Sequence, residues 1–351
     1  MPSDLAPRPL PLLTPHLPGT GGSVRVSEED FRVEELPLYE PTGEGEHLYL
    51  TIEKRGRTTQ DVVRELAALL RLPDRELGTA GLKDKRAVTV QRISLPARAV
   101  TGDPLALQGP GWRVLEARRH GNKLRAGHLR GNRFAIVVRG CDPARAGPVC
   151  AALREQGAAN LFGPQRFGQR QDNAALGAAL LARDPAAARA GRDRFLRRLA
   201  LSALQSELFN RCLAARLADG LFAQALDGDV LKKRLTGGLF VCEDPEQDSA
   251  RVQAAELDPA GPLPGHSLFA ARGTALLREE AIIADAGIDP RSFAAGGGEM
   301  EGARRPYRVP VEDLSAVAAG DTLTLTFALP RGSYALAVLR EVMKADAEAP
   351  E

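Results

Sequence analysis

The sequence predicts an α+β protein in which one domain is interrupted by another. Strand-like alternation marks the start of the chain, an Ala-, Leu- and Arg-rich helical stretch fills the middle, and strict alternation returns near residue 322. The closing strand and helix are too small to bury a core alone, which favours an insertion over three separate units. The expected division is 1–157 with 306–351 for the interrupted domain and 158–305 for the insert. A chain of 351 residues is long enough for both.

Residues 1–22 are rich in Pro and end in Gly19-Thr20-Gly21-Gly22, an irregular arm. Those glycines do not follow a strand and open a helix, so they make a weak phosphate cradle. From His47 to Glu53 the residues alternate, with Leu48, Leu50 and Ile52 on one face and His47, Tyr49 and Thr51 on the other. That pattern is a half-buried strand. Thr58-Thr59-Gln60-Asp61 reads as a capping box before Val62, Leu66, Leu69 and Leu70 at helical spacing, and Pro73 ends that helix. A loop then carries Lys83, Asp84 and Lys85 into a strand through Val88-Thr89-Val90-Gln91.

Residues 112–139 are the most basic zone. Arg113, Arg118, Arg119, Lys123, Arg125, Arg130, Arg133 and Arg139 have only Glu116 as a counter-charge within it. The zone reads as a polyanion-facing surface, with a solvated sheet edge as the alternative. It ends in Phe134-Ala135-Ile136-Val137-Val138, a run suited to a buried strand. Leu196, Leu199, Leu204 and Leu208 then fall on helical repeats, with Asp193, Arg194, Arg197 and Arg198 between them as on an exposed face. Residues 243–305 are rich in Pro, Gly and Ala, so the insert is expected to be helical with loops at its end. Thr322-Leu323-Thr324-Leu325-Thr326-Phe327 alternates strictly, Pro330-Arg331-Gly332-Ser333 turns the chain, and Ala335 to Met343 continues as a helix.

Hydrophobic content of 44% and charged content of 26% are those of a soluble globular protein. A net charge of +2 announces no nucleic-acid partner by itself, so local clustering matters more. Cys141, Cys150, Cys212 and Cys242 are scattered, which argues against a zinc ribbon or redox pair and suits reduced thiols in a cytoplasm. The five histidines show no ligand spacing, so no metal is expected. Residues 1–5 carry no basic region leading to a long apolar core, so no signal peptide is indicated. No apolar run approaches a membrane span. The expectation is a cytoplasmic protein without a membrane partner, and a monomer.

The run Ala80-Gly81-Leu82-Lys83-Asp84-Lys85-Arg86 sets one carboxylate among three cations, surroundings that favour the anion. Alone it reads as a solvated turn whose charges cancel. Its company changes that reading. Glu29-Asp30-Phe31, Gly43-Glu44-Gly45-Glu46-His47-Leu48, the run at 80–85, Lys123-Leu124-Arg125 with Gly131-Asn132-Arg133-Phe134, Asn160-Leu161-Phe162-Gly163-Pro164-Gln165-Arg166-Phe167-Gly168, and Gly332-Ser333-Tyr334 with Arg340-Glu341 follow one another along the chain. In that order they resemble the TruD family of tRNA pseudouridine synthases, and the resemblance spans nearly the whole sequence.

The resemblance implies a pseudouridine-synthase catalytic domain on a mixed, largely antiparallel sheet, interrupted by a TruD-specific domain, with RNA in the cleft between the two. It implies isomerisation of a tRNA uridine, typically uridine-13, with no cofactor, because nothing is oxidised and no group is imported. The family's catalytic aspartate falls on Asp84. A carboxylate there can be a nucleophile towards the ribose carbon or the uracil ring, or a base on the ribose. Lys83 beside it, Arg25 as the family's basic residue, Asn132 and the aromatics Phe31, Phe134 and Tyr334 align as substrate-binding positions. Tyr334 stands where the family commonly has Phe. A flipped base needs aromatic or apolar walls, and core packing is the alternative use for each ring. Gln165 and Arg166 suit either an interdomain hydrogen-bond cluster or RNA contact. A non-catalytic RNA-binding or RNA-chaperone module is the competing reading, since phosphate contacts give affinity without chemistry. A metal- or nucleotide-dependent enzyme is disfavoured by the missing ligand and P-loop patterns.

Overall fold

The computed structural model describes Leu5 and residues 10–345. Residues 1–4, on which the reading of the first segment rests, lie outside them. The elements in chain order are β1 (Phe31–Pro37), β2 (His47–Arg55), α1 (Thr59–Leu69), β3 (Gly78–Thr79), β4 (Val88–Pro96), β5 (Gln108–Gly109), β6 (Trp112–His120), β7 (Leu129–Val138) and α2 (Ala146–Gln156). There follow β8 (Ala158–Ala159), α3 (Asn173–Leu181), α4 (Ala188–Arg192), α5 (Arg194–Ala218), β9 (Val230–Lys233), β10 (Leu239–Val241), α6 (Pro245–Gln253), β11 (Leu257–Leu263) and α7 (Gly273–Asp285). The chain closes with β12 (Ala303–Pro306), β13 (Arg308–Val309), β14 (Glu312–Ala319), β15 (Thr322–Pro330) and α8 (Leu336–Met343). These divide into two compact units. One holds residues 17–155 and 310–345; the other holds 156–309 together with Leu5 and 10–16.

The first unit is built on a nine-stranded sheet of order β14-β15-β7-β1-β4-β2-β6-β5, with β3 pairing β4 off that path. Only β1 and β4 run parallel; every other pairing is antiparallel. The sheet is therefore mixed and largely antiparallel. The alternation in β2 sends Leu48, Leu50 and Ile52 into a core with Val62 and Leu66 of α1, Ile93 and Leu95 of β4 and Trp112 and Val114 of β6. Helix α1 starts where the capping box places it: Thr58 accepts from the Asp61 amide and Asp61 accepts from the Thr58 amide, both at 3.1 Å. Strand β2 is more buried than alternation alone suggests. Tyr49, on the opposite face, packs with Ala80, Leu124 and Leu129, and burial pushes its phenol well above its ordinary pKa.

The glycine arm is stitched into this unit. Thr20 and Gly21 donate to the carbonyls of Val342 and Met343 at the end of α8, and Ser23 bridges to Arg139. Gly131 lets β7 and β15 close up, since a Cβ there would lie 2.2 Å from the Leu329 carbonyl oxygen. The obstacle is backbone of the neighbouring strand, so it cannot rotate aside. Gly131→Ala is expected to destabilise this unit by about 1–3 kcal/mol in a denaturant melt.

The second unit packs α5, 25 residues long, against α3, with Gly177 allowing close approach to the Ala200 carbonyl. Leu181, Leu201, Leu204, Leu208, Ile283, Phe293 and Met300 share one core. The insert, expected to be helical with loops at its end, holds α6, β11, α7 and β12 within residues 243–305, and the unit carries a four-stranded sheet of order β10-β9-β11-β12. Two features hid it. Strands β9, β10 and β12 are four residues or fewer, too short to display a period, and β11 contains Pro259 and Pro262, which ordinarily argue against a strand. The described helices include none long and apolar enough to cross a membrane.

Candidate active site

Strand register decides which side chains meet. Residues directly opposite each other in neighbouring strands project from the same face. Val33 of β1 lies opposite Thr89 of β4 and Phe134 of β7, Glu35 lies opposite Asn132, and Phe134 lies opposite Phe327 of β15. Lys54 of β2 lies opposite the same Thr89. One face of the sheet thus presents Phe31, Glu35, Lys54, Thr89, Asn132, Phe134 and Phe327. Strand β3 pairs with Ser94 and Ile93 at the far half of β4, so the loop 80–87 must run back to the start of β4 at Val88.

Asp84 sits on that loop with its side chain 55% exposed. Its Oδ2 accepts from Arg25 Nη2 at 3.0 Å, and Oδ1 has no hydrogen-bond partner among the described residues. The Arg25 guanidinium lies 4.2 Å from the centre of the Phe31 ring. Phe31 meets Phe134 edge-on at 6.4 Å, and Phe134 stacks on Phe327 at 5.2 Å. Asp84, Arg25, Phe31 and Phe134 therefore form one continuous column from solvent into the core. Both Phe31 and Phe134 are buried, so neither presents an open face for stacking.

The turn before Phe31 is fixed by Asp30. Its carboxylate accepts the Ser27 amide at 2.9 Å and three bonds from Arg139, two from Nε and one from Nη2. The Arg139 hydrogen bonds, chiefly, hold the buried Asp30 carboxyl below its usual range. Arg25 takes a left-handed backbone conformation, φ 59°, just ahead of this turn.

Lys83 points inward. Its ammonium reaches Glu35 at 2.7 Å, and the two side chains are 5% and 2% exposed. The Lys83 amide donates to Thr59 Oγ1 at 2.9 Å, and that hydroxyl donates to Gln91. Lys54, 1% exposed, donates to the carbonyls of Arg57 at 2.7 Å and Asp84 at 2.8 Å. It also reaches the Lys83 carbonyl at 3.4 Å. Burial lowers its ammonium pKa to about 8, against a partly offsetting pull from Asp84. Asn132 Oδ1 is buried without a partner on the same face. Tyr334 stands 48% exposed on the turn after β15, whose last residue Pro330 lies opposite Gly131. Its hydroxyl bonds to none of the other candidate residues.

Within this unit the basic zone is less free than its sequence suggests. Arg139 pairs with Asp30, Arg113 with Glu53, Arg118 with Glu116, Arg130 with Glu312 and Arg133 with Asp313. Arg119 and Lys123 bond to the carbonyls of Gly45 and Arg75. Apart from Glu116, these carboxylates come from residues distant in sequence. Arg125, like Lys85 and Arg86 of the Asp84 loop, is exposed with no side-chain partner among the described residues. In the other unit, Arg166 bonds to Ser202 and Ser206 of α5, and Gln165 is exposed.

Sequence reasoning missed Glu35 and Lys54, although both carried a signal. Each puts a charge at the next position of an alternating buried series, Phe31-Val33-Glu35 and Leu48-Leu50-Ile52-Lys54. A buried charge needs partners, and here the partners define the loop.

The model of the family described as tRNA pseudouridine synthase D (TruD) matches residues 10–191 and 192–342. The chain belongs to the TruD family. A tRNA pseudouridine synthase D from an Anaeromyxobacter strain is 59% identical over 343 residues, covering 97% of this chain and 98% of its own length. One from Thermus thermophilus is 44% identical over 351 residues, covering 98% and 95%. The fold matches a TruD structure from Methanosarcina mazei, with a TM-score of 0.78 at 24% identity, covering 98% of this chain and 97% of that one. A carboxylate held by one oxygen and open at the other, on a TruD sheet face with buried aromatic rings, can attack or take a proton from a base or sugar placed above it.

Proposed function

We propose that this TruD-family chain isomerises a uridine of tRNA, uridine-13, to pseudouridine, and that Asp84 is the catalytic residue. The observation that carries the assignment is the exposed Asp84 carboxylate, fixed from beneath by Arg25 and through its own backbone by Lys54. The N-glycosidic bond of the uridine breaks, the uracil turns, its C5 bonds to the ribose C1′, the C5 proton leaves, and the freed N1 takes up a proton. The atoms balance without a second reactant. Asp84 serves as nucleophile towards the ribose carbon or the uracil ring, or as base on the ribose. Arg25 holds it, Asn132 keeps an amide oxygen without a protein partner for the flipped base, and Tyr334 supplies an exposed ring on the turn after β15. Lys83, buried against Glu35, shapes the loop instead of touching RNA. The test is release of tritium from tRNA carrying uridine labelled at C5. The purified protein should release it in proportion to pseudouridine formed, and binding without release would favour the non-catalytic RNA-binding reading.

The unit holding residues 156–309 offers its own RNA contact. Phe195 is 78% exposed at the first turn of α5, among exposed Arg192, Arg194 and Arg198, while Arg197 is committed to Glu299 at 2.6 Å. An aromatic face among free guanidiniums suits an unstacked base with its phosphates. Replacing Phe195 and Arg194 together by alanine is expected to raise the KM for tRNA by about fivefold or more. The same change should flatten the salt dependence by about one phosphate contact and leave kcat unchanged. Steady-state kinetics at two salt concentrations read all three.

A further inference from the structure

We propose that Lys54 is a positioning residue that holds the main chain of the Asp84 loop in its working shape. The proposal rests on the reading that Asp84 acts on substrate. Three observations lead to it. By alternation Lys54 occupies the core face of β2, in line with Leu48, Leu50 and Ile52, where an ammonium has no water. Its three protons meet three carbonyl oxygens and no carboxylate: Arg57, at the entry to α1, and Lys83 and Asp84 on the loop. Two of those oxygens belong to the proposed catalytic residue and its neighbour, so the ammonium fixes their peptide planes directly.

The match depends on charge. An ammonium has three donors, whereas a neutral amine has two and turns a lone pair towards the third carbonyl. The charged groups around it are Asp84 and Lys83 on the loop and Asp61 in the first turn of α1. Its neighbours across the sheet, Thr89 of β4 and Trp112 of β6, are uncharged. With the ammonium titrating near pH 8 in the fold instead of 10.5, the proton is lost as pH rises through 8. Two consequences of opposite sign follow. Between pH 8 and 10.5 the unfolded chain still binds a proton that the folded chain has shed, so this group's contribution to global stability rises. Over the same range the loop loses one tether.

The experiment combines Lys54→Met with four readouts. Methionine fills the core without a charge. The expected result is a fall in kcat of about a hundredfold, with tRNA Kd within twofold of wild type and a melting temperature unchanged or raised. Amide exchange across residues 82–86, normalised for intrinsic rate, should rise about tenfold in the variant while α1 and β4 keep their protection. In the wild type that exchange should increase above pH 8; in Lys54→Met the extra increase should be absent. Loop exchange equal to wild type, or kcat within threefold of it, overturns the proposal. So does a rate loss matched by a lower melting temperature and loss of protection throughout the sheet, because that is the mark of a merely structural lysine. Exchange is measured without RNA, so it keeps its meaning even if Asp84→Asn proves active and the assignment of Asp84 fails.

Discussion

Asp84→Asn is expected to lower the rate of pseudouridine formation about a thousandfold or more, while folding and tRNA affinity change little. Asparagine keeps the shape and the contact to Arg25 but cannot act as nucleophile or strong base. The structural cost is small because the ion pair it replaces is exposed, with Asp84 55% and Arg25 23% open to solvent, and such pairs contribute at most about 1 kcal/mol. The discriminating measurement is single-turnover tritium release alongside a filter-binding Kd for the same tRNA. A variant that binds normally and turns over normally removes Asp84 from the chemistry. One that loses both activities equally places the residue in binding.

Glu35→Ala should have the largest effect on stability. It leaves the Lys83 ammonium in a pocket where both side chains are at most 5% exposed, with no carboxylate to answer it. Removing one partner of a buried pair costs about 3–5 kcal/mol, and in a unit of this size the melting temperature should fall by roughly 10 °C. The double change Glu35→Leu with Lys83→Met removes both charges and should restore most of that loss. Thermal unfolding followed by circular dichroism checks both proteins. If Glu35→Ala melts with wild type, the pair carries no net burden and the loop must be held by Lys54 and Thr59 alone.

The parts of this fold that could be read from sequence are those with long periods or paired end signals. Strand β2 announces itself by Leu48, Leu50 and Ile52, helix α1 by Thr58 and Asp61, and β15 by Leu323, Leu325 and Phe327. The short strands β9, β10 and β12 could not, because three or four residues hold at most two repeats of an alternation. Strand β11 was masked by Pro259 and Pro262, which it tolerates at its pairings with Leu231 and Arg304. The candidate site divides the same way. Asp84, Arg25, Phe31 and Phe134 were visible through the family's motifs, and they meet in one column of contacts. What the motifs could not convey is which way a side chain turns. Lys83 faces Glu35, forty-eight positions earlier in the chain, and five arginines of the basic zone face Asp30, Glu53, Glu116, Glu312 and Asp313. Four of those carboxylates lie outside the zone, so local charge counts overstated its free charge.

The proposed conversion of uridine-13 of tRNA to pseudouridine rests on Asp84. Its most direct test is chemical mapping of pseudouridine along an unmodified tRNA transcript incubated with the purified protein or with Asp84→Asn. The predicted result is a new signal at position 13 with the wild-type chain and none with the variant. A transcript left unmodified by the wild type, a signal at another position only, or equal signals from both proteins would contradict the account.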